Sequence, residues 1–79
     1  MPDDESVTYT EPTLLWRLRH PDGRVVRAML IPGSPASTLV YFVDDRFEKG
    51  ENFPDWEPAL RQAQAFKQDL LAEGWREEP

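Results

Sequence analysis

A Pro21-Asp22-Gly23 turn between two apolar runs is the feature that most limits how this chain can fold. Proline presets φ at the first turn position, aspartate can bond its own backbone, and glycine accepts the left-handed third position. We therefore predict a β-hairpin closed by His20 and Arg24, with a three-residue loop and a bulge at Gly23. Once the closing pair is fixed, the later pairs of the two strands follow from it.

The predicted register separates the hairpin into two unlike faces. One face pairs only apolar side chains, so we expect it to be the core side of the sheet. Its expected pairs are Leu18 with Val26, Trp16 with Ala28, and Leu14 with Leu30. The expected pairs on the second face are Arg19 with Val25, Arg17 with Arg27, and Leu15 with Met29.

A third strand is predicted over residues 38–44, which are dense in β-branched and aromatic side chains. We expect the row Leu39, Tyr41 and Val43 to face the core. The other row, Val40 and Phe42, stays an alternative, but it ends at Asp44, a charge that would need a partner if it were buried. Residues 46–54 are predicted to be a surface loop, with Phe47 and Phe53 folding back as anchors.

A helix is predicted to follow this loop. Asp55 is a suitable N-cap, and Pro58 lies in the first turn, where its missing N–H costs little. Gly74 is predicted to end the helix at the C′ position, with Trp75 packing back on Leu70. Apolar residues recur between these ends at spacings of three and four, as a core-facing helix requires: Trp56, Ala59, Ala63, Phe66 and Leu70.

These elements predict an α+β fold of the β-β-β-α type. It consists of a three-stranded antiparallel β-meander with one C-terminal α-helix packed across one face. Residues 13–75 are expected to form the single domain. Residues 1–12 are expected to be an acidic, mostly disordered arm, with a short edge strand at Val7 and Tyr9 as an alternative, and residues 76–79 to be a frayed tail.

Composition excludes several classes of protein. The 79 residues include no cysteine, which excludes a disulfide scaffold and a thiolate zinc site. The longest apolar runs have four or five residues, far short of the ~20 that cross a bilayer. The acidic start of the chain is unlike a secretory signal, so we expect a cytoplasmic and, given the small size, prokaryotic protein.

The net charge of −6 is unevenly distributed along the chain. Residues 1–12 sum to −4, residues 13–31 to +3, and residues 44–79 to −5. The total argues against affinity for nucleic acid or an anionic membrane. The basic segment coincides with the predicted hairpin.

No residue pattern in the chain predicts catalysis, a cofactor or a metal. His20 is the only histidine, and its place beside a tight turn favours a solvent-facing turn residue over a catalytic one. The acidic segment around Asp45 has Phe47 and Lys49 where a calcium loop needs side-chain oxygens. We therefore expect a non-enzymatic protein without cofactor or metal.

One constellation predicts an interaction. Arg17, Arg19 and Arg27 should project together from the sheet face away from the helix, beside Met29 and Phe42. Such a face would bind an unknown protein partner, or a second copy to form a homodimer. The alternative is that the arginines only cover the sheet and pair with the acidic arm, Asp44 or Glu11. A nucleic-acid-binding sheet is the less favoured alternative, because the acidic helix and termini would repel phosphate.

Overall fold

The computed structural model describes residues 9–33 and 35–78, which form one sheet and one helix. In chain order the elements are β1 (Thr13–Arg19), β2 (Val25–Ile31), β3 (Ser37–Val43), β4 (Arg46–Phe53), α1 (Trp56–Ala72) and β5 (Arg76–Glu77). All strand pairs are antiparallel, in the order β4-β3-β2-β1-β5. β1, β2 and β3 each pair with the next strand in the chain, and β5 pairs with β1 at the edge of the sheet opposite β4.

The predicted three-stranded meander is wrong, because the described residues form a five-stranded sheet. Residues 46–53, expected in a loop, form β4. A two-residue turn makes this possible: Asp44 and Asp45 have φ of 52° and 67°, the left-handed values that a tight hairpin turn needs. Arg76 and Glu77, expected in a frayed tail, form β5 by pairing with Arg19 and Leu18.

The predicted N-terminal arm can be followed only in part. Its first eight residues, including Val7 of the alternative edge strand, lie outside the described residues, as does Pro79. Tyr9 lies against the ring of Trp56 at the start of α1, with a centroid distance of 5.3 Å. This contact connects the end of the arm to the helix.

The predicted hairpin is confirmed near its turn and shifted at its far end. Leu18 pairs with Val26, and Trp16 pairs with Ala28, as expected. A bulge between Leu14 and Trp16 then moves the register, so Leu14 pairs with Met29 instead of Leu30. The predicted pair of Leu15 with Met29 is therefore wrong. The bulge sends Leu15 toward the core and leaves Leu14 on the opposite face.

The core lies between one sheet face and α1. Leu39 and Tyr41 are buried in it, which confirms that their row of β3 faces inward, and the half-buried Val43 packs against them. The helix contributes the predicted stripe, with Ala59, Ala63 and Leu70 buried. Trp16 donates an indole N–H bond of 3.1 Å to the carbonyl of Ala63. Strand and helix are thus joined by both packing and a buried hydrogen bond.

Both predicted helix caps are confirmed. The Asp55 carboxylate accepts a hydrogen bond of 2.7 Å from the N–H of Trp56. At the other end the N–H of Gly74 donates to the carbonyl of Leu71 and that of Trp75 to Leu70, each at 3.1 Å. This is a Schellman motif, and Gly74 has the positive φ, 102°, that it requires. Trp75 is buried immediately beyond it, at the start of β5.

Gly74→Ala is expected to lower the free energy of unfolding by about 1–2 kcal/mol, because a Cβ is strained at this φ even though the space is open. Gly50→Ala is the matched control. A Cβ at Gly50 would make only ordinary contacts, 3.6 Å or more, and φ is not positive there, so its effect should stay within about 0.5 kcal/mol. Urea denaturation of both variants measures the difference. Equal losses would contradict the role assigned to the cap.

Candidate functional site

The candidate site is the sheet face opposite α1, which we call the outer face. Its side chains alternate with the core residues along each strand, except at the register shifts in β1 and β4. In β1 and β2 they are Leu14, Arg17, Arg19, Val25, Arg27, Met29 and Ile31, and in β3 and β4 they are Thr38, Val40, Phe42, Phe47, Gly50 and Asn52. All five residues predicted to form an interaction site, Arg17, Arg19, Arg27, Met29 and Phe42, lie on this face.

Arg17 and Arg19 are held by one carboxylate at the end of the chain. Glu78 Oε1 lies 3.1 Å from Arg17 Nε, and its Oε2 accepts a hydrogen bond from Arg19 Nε. The main-chain N–H of Glu78 also donates to the Arg17 carbonyl at 2.9 Å. Because β5 continues into this residue, the pairing of the sheet brings the carboxylate to the two guanidinium groups.

Arg27 lies near the centre of the outer face, stacked on an aromatic ring. Its guanidinium carbon is 4.7 Å from the centroid of Phe42, a cation–π arrangement. Its Nη2 is 3.2 Å from Asp45 Oδ1, whose side chain is 85% exposed. Its Nε is buried and bonds to no atom within the described part of the chain. Within the described residues, Nη2 of Arg27 is therefore paired only with an exposed carboxylate, and its Nε has no hydrogen-bond partner.

The predicted ion-pair partners of the arginines differ from those observed. Asp44 accepts a hydrogen bond of 3.0 Å from the N–H of Val25, and Glu11 forms no ion pair within the described residues. The carboxylates that pair with the arginines belong to Asp45 and Glu78. Asp45 lies in a turn, and Glu78 beside a strand, that the sequence analysis did not predict.

Exposed apolar side chains share the outer face with the stacked Arg27. Leu14 is 49% exposed, Ile31 40% and Phe47 64%. Phe47 meets Phe42 edge to face at 6.3 Å. The prediction of Phe47 as a loop anchor is wrong, because residues 46–53 form β4, a strand without the apolar alternation that would reveal it. Phe47 and Gly50 are three residues apart and share the outer face because the register shifts at a bulge between Phe47 and Lys49.

The single histidine has the role of a turn residue. Its Nδ1 accepts a hydrogen bond of 3.1 Å from the N–H of Asp22, and its ring meets Trp75 at 5.0 Å. Asp22 in turn accepts from the N–H of Arg24, a bond that lowers the pKa of its carboxyl. The loop is therefore closed by its own side chains.

The core side of β1 borders an open groove of about 420 Å³. It runs between β1 and α1 and is lined by Leu15, Leu60, Arg61 and Lys67 among others. Lys67 is paired with Glu77 at 3.0 Å. Over residues 9–33 and 35–78, no cluster of three or more His, Cys, Asp or Glu could hold a metal ion, and no helix is long and apolar enough to cross a membrane.

Among the residues that the structure describes, Tyr41 is the one titratable side chain buried in the core. It is 2% exposed, and its hydroxyl bonds to no atom of the described residues. Burial, and secondarily the charge of Glu51, raise the pKa of Tyr41 to about 12. Its ring lies edge to face with Phe66 at 4.9 Å, so packing rather than the hydroxyl holds it in place.

Tyr41→Phe is expected to leave the free energy of unfolding unchanged at pH 7, or to raise it by up to about 1 kcal/mol, because it removes an unbonded hydroxyl. In the folded protein the pKa of Tyr41 lies above 10.0, the ordinary value for tyrosine. The contribution of neutral Tyr41 to the free energy of unfolding of the wild type should therefore be fully present below pH 10 and be lost as the pH rises toward 12. Urea denaturation from pH 7 to 12 should show a smaller alkaline loss for Tyr41→Phe. Tyr9→Phe is the control, and an equal alkaline loss in Tyr41→Phe would contradict the assignment.

Glu78→Gln is expected to lower the free energy of unfolding by about 0.5–1 kcal/mol at low salt, because it removes the charge shared by two half-exposed arginines. Added salt should narrow the difference from wild type, since screening weakens exposed ion pairs. Glu11→Gln, exposed, outside the helix and in no ion pair of the described residues, is the control. A salt-independent difference would show that the charge of Glu78 is not what stabilises β5.

The chain matches no protein-family model, no curated protein and no solved structure.

Proposed function

We propose that this protein is a small, non-enzymatic accessory domain that binds another protein through the outer face of its sheet. The observation that supports this proposal is the exposure of Leu14, Ile31 and Phe47 on the same sheet face as the stacked Arg27. Apolar side chains grouped on an open sheet face favour contact with another surface over contact with water. A location in the cytoplasm is part of the proposal, in keeping with a fold built without cysteine.

The chemistry of the face indicates what kind of protein surface would fit. Arginine and aromatic side chains are enriched where protein interfaces are most strongly bound. The pair between Arg27 and Asp45 is exposed, and such pairs contribute little stability. A carboxylate of a partner can therefore replace Asp45 at small cost. We infer a partner segment that presents one carboxylate to Arg27 and apolar side chains to Leu14 and Phe42.

The charges of the face support a protein partner over nucleic acid. Of the three arginines, Arg17 and Arg19 share Glu78, and Arg27 is paired with Asp45. Phosphate binding would require these pairs to be broken, in a chain whose net charge is −6. Guanidinium groups already bound to carboxylates also supply neither a nucleophile nor a general base, which supports a binding role over a catalytic one.

Affinity capture from the native cell, compared across variants, tests the proposal. Arg27→Glu and, separately, Leu14→Ser should each reduce capture of a specific protein by about ten-fold or more, as loss of an interface anchor does. Arg61→Glu, the same charge change on the helix side, is the matched control and should capture as wild type does. Thermal denaturation of each variant accompanies the capture.

Two results would contradict the proposal. Equal capture by wild type, Arg27→Glu and Leu14→Ser, with Arg27→Glu less stable by more than about 1 kcal/mol, would mean that the arginines only cover the sheet. Retention of the wild type on a polyanion column at about 50 mM salt, lost steeply as salt rises, would favour nucleic acid instead.

A further inference from the structure

The edge of the sheet formed by β4 is a second surface that could bind another chain, distinct from the outer face. Every residue of β4 except Phe53 is exposed, and β3 pairs with only one side of the strand. The alternation of hydrogen bonds can be followed from Asp44, whose N–H bonds to the Val25 carbonyl at 2.8 Å. Because successive residues of a strand bond to opposite neighbours, the main-chain N–H and C=O groups of Tyr41 and Leu39 point toward β4. Gly50 lies opposite Val40, between these two bonded pairs, so its own N–H and C=O groups point away from the sheet.

Two of the four charged side chains of this edge are placed symmetrically about Gly50. Lys49 and Glu51 flank it and lie on the same sheet face, opposite Tyr41 and Leu39 of β3. Neither forms an ion pair with another residue of the described chain. Lys49 Nζ lies over the Tyr41 ring, 5.6 Å from its centroid, which holds the ammonium group close to the sheet.

We propose that two copies of this chain pair through β4, antiparallel, about a two-fold axis that passes between their Gly50 residues. In that register Lys49 of each copy lies opposite Glu51 of the other, so the two-fold symmetry produces two identical cross-strand ion pairs. A shift by one residue on each strand places Lys49 opposite Lys49, or Glu51 opposite Glu51. The charges of the edge therefore favour one symmetric register and disfavour its neighbours.

The backbone around the axis suits this pairing. Gly50 of one copy would exchange main-chain hydrogen bonds with Gly50 of the other, which leaves Lys49 and Glu51 in the adjacent pairs where side chains approach most closely. A glycine in a strand is typical of a place where another backbone comes near. The Phe47 ring lies 3.6 Å from where a Cβ of Gly50 would be, so the exposed rings of the two copies would lie beside the axis on the outer face.

The dimer is compatible with the rest of the fold, and its test does not rely on the proposed function. An axis normal to the sheet keeps both copies of α1 on one side and joins the two outer faces on the other. The dimer interface uses the edge of the sheet and the proposed partner binds its face, so the two interfaces share only Phe47. A seam of one strand pair and two phenyl rings is small, so we expect affinity in the micromolar range.

Charge reversal and charge exchange test the register in sedimentation equilibrium. Lys49→Glu alone and Glu51→Lys alone should each weaken the dimer by about ten-fold or more, because each places like charges opposite each other. The exchange variant Lys49→Glu/Glu51→Lys should restore the wild-type dissociation constant. Arg61→Glu and Asp69→Lys make the same charge changes on the exposed helix surface and should leave dimerisation unchanged. A wild type that stays monomeric up to about millimolar concentration, or reversals without effect on a wild-type dimer, overturns the proposal.

Single cysteines test the position of the axis, since the natural chain has none. Gly50→Cys places its two thiols on residues about 5.5 Å apart between Cα atoms, within disulfide range, so mild oxidation should crosslink it rapidly. Asn52→Cys, two residues along the same face, lies two positions from the axis on each strand and should remain uncrosslinked. The two cysteine variants still test the register if one of the charge variants fails to fold. Equal crosslinking of both cysteines, or none at Gly50→Cys, contradicts this register.

Discussion

The insertion of Trp16 between the sheet and the helix is the contact on which the rest of the structure depends. Its indole occupies space left by two alanines, Ala28 on the neighbouring strand and Ala63 on α1, both buried. Its N–H is satisfied by the carbonyl of Ala63. A large aromatic side chain contributes most to a core when it is buried against small neighbours and its polar atom is bonded. Trp16 meets both conditions, because it is buried against two alanines and its N–H is bonded, in a core that α1 covers on one side.

The position of Trp16 also determines which side chains lie outside. From Trp16 to the turn, alternation places Arg17 and Arg19 on the outer face. On the other side of Trp16 the bulge interrupts this alternation, so Leu14 rather than Leu15 lies there. Bulges redirect a side chain without ending the strand. The outer face therefore combines basic residues from one half of β1 with an apolar residue from the other.

The sequence predicts an element correctly where a single residue type determines the local backbone conformation. The turn at Gly23, the N-cap Asp55 and the C′ residue Gly74 each require a particular φ or side-chain acceptor, and the residue types show it. The bulge was not predictable, because Leu14 and Leu15 are the same residue type and either can fill the core position. β4 was not predictable because its residues are exposed and carry no apolar alternation. β5 has only two residues, too few for any pattern.

These two missed strands change the electrostatics of the candidate site. Counted from the sequence, residues 13–31 carry a charge of +3, and a basic face is the natural interpretation. In the fold, β5 brings Glu78 to Arg17 and Arg19, and the turn before β4 brings Asp45 to Arg27. The three arginines therefore face two carboxylates, and long-range attraction for a polyanion largely cancels. What remains on the face is short-ranged: exposed apolar area, a guanidinium stacked on Phe42, and an ion pair that a better-placed carboxylate can displace. Interactions of this kind depend on shape and close contact, which is why a protein surface suits this face better than a phosphate backbone.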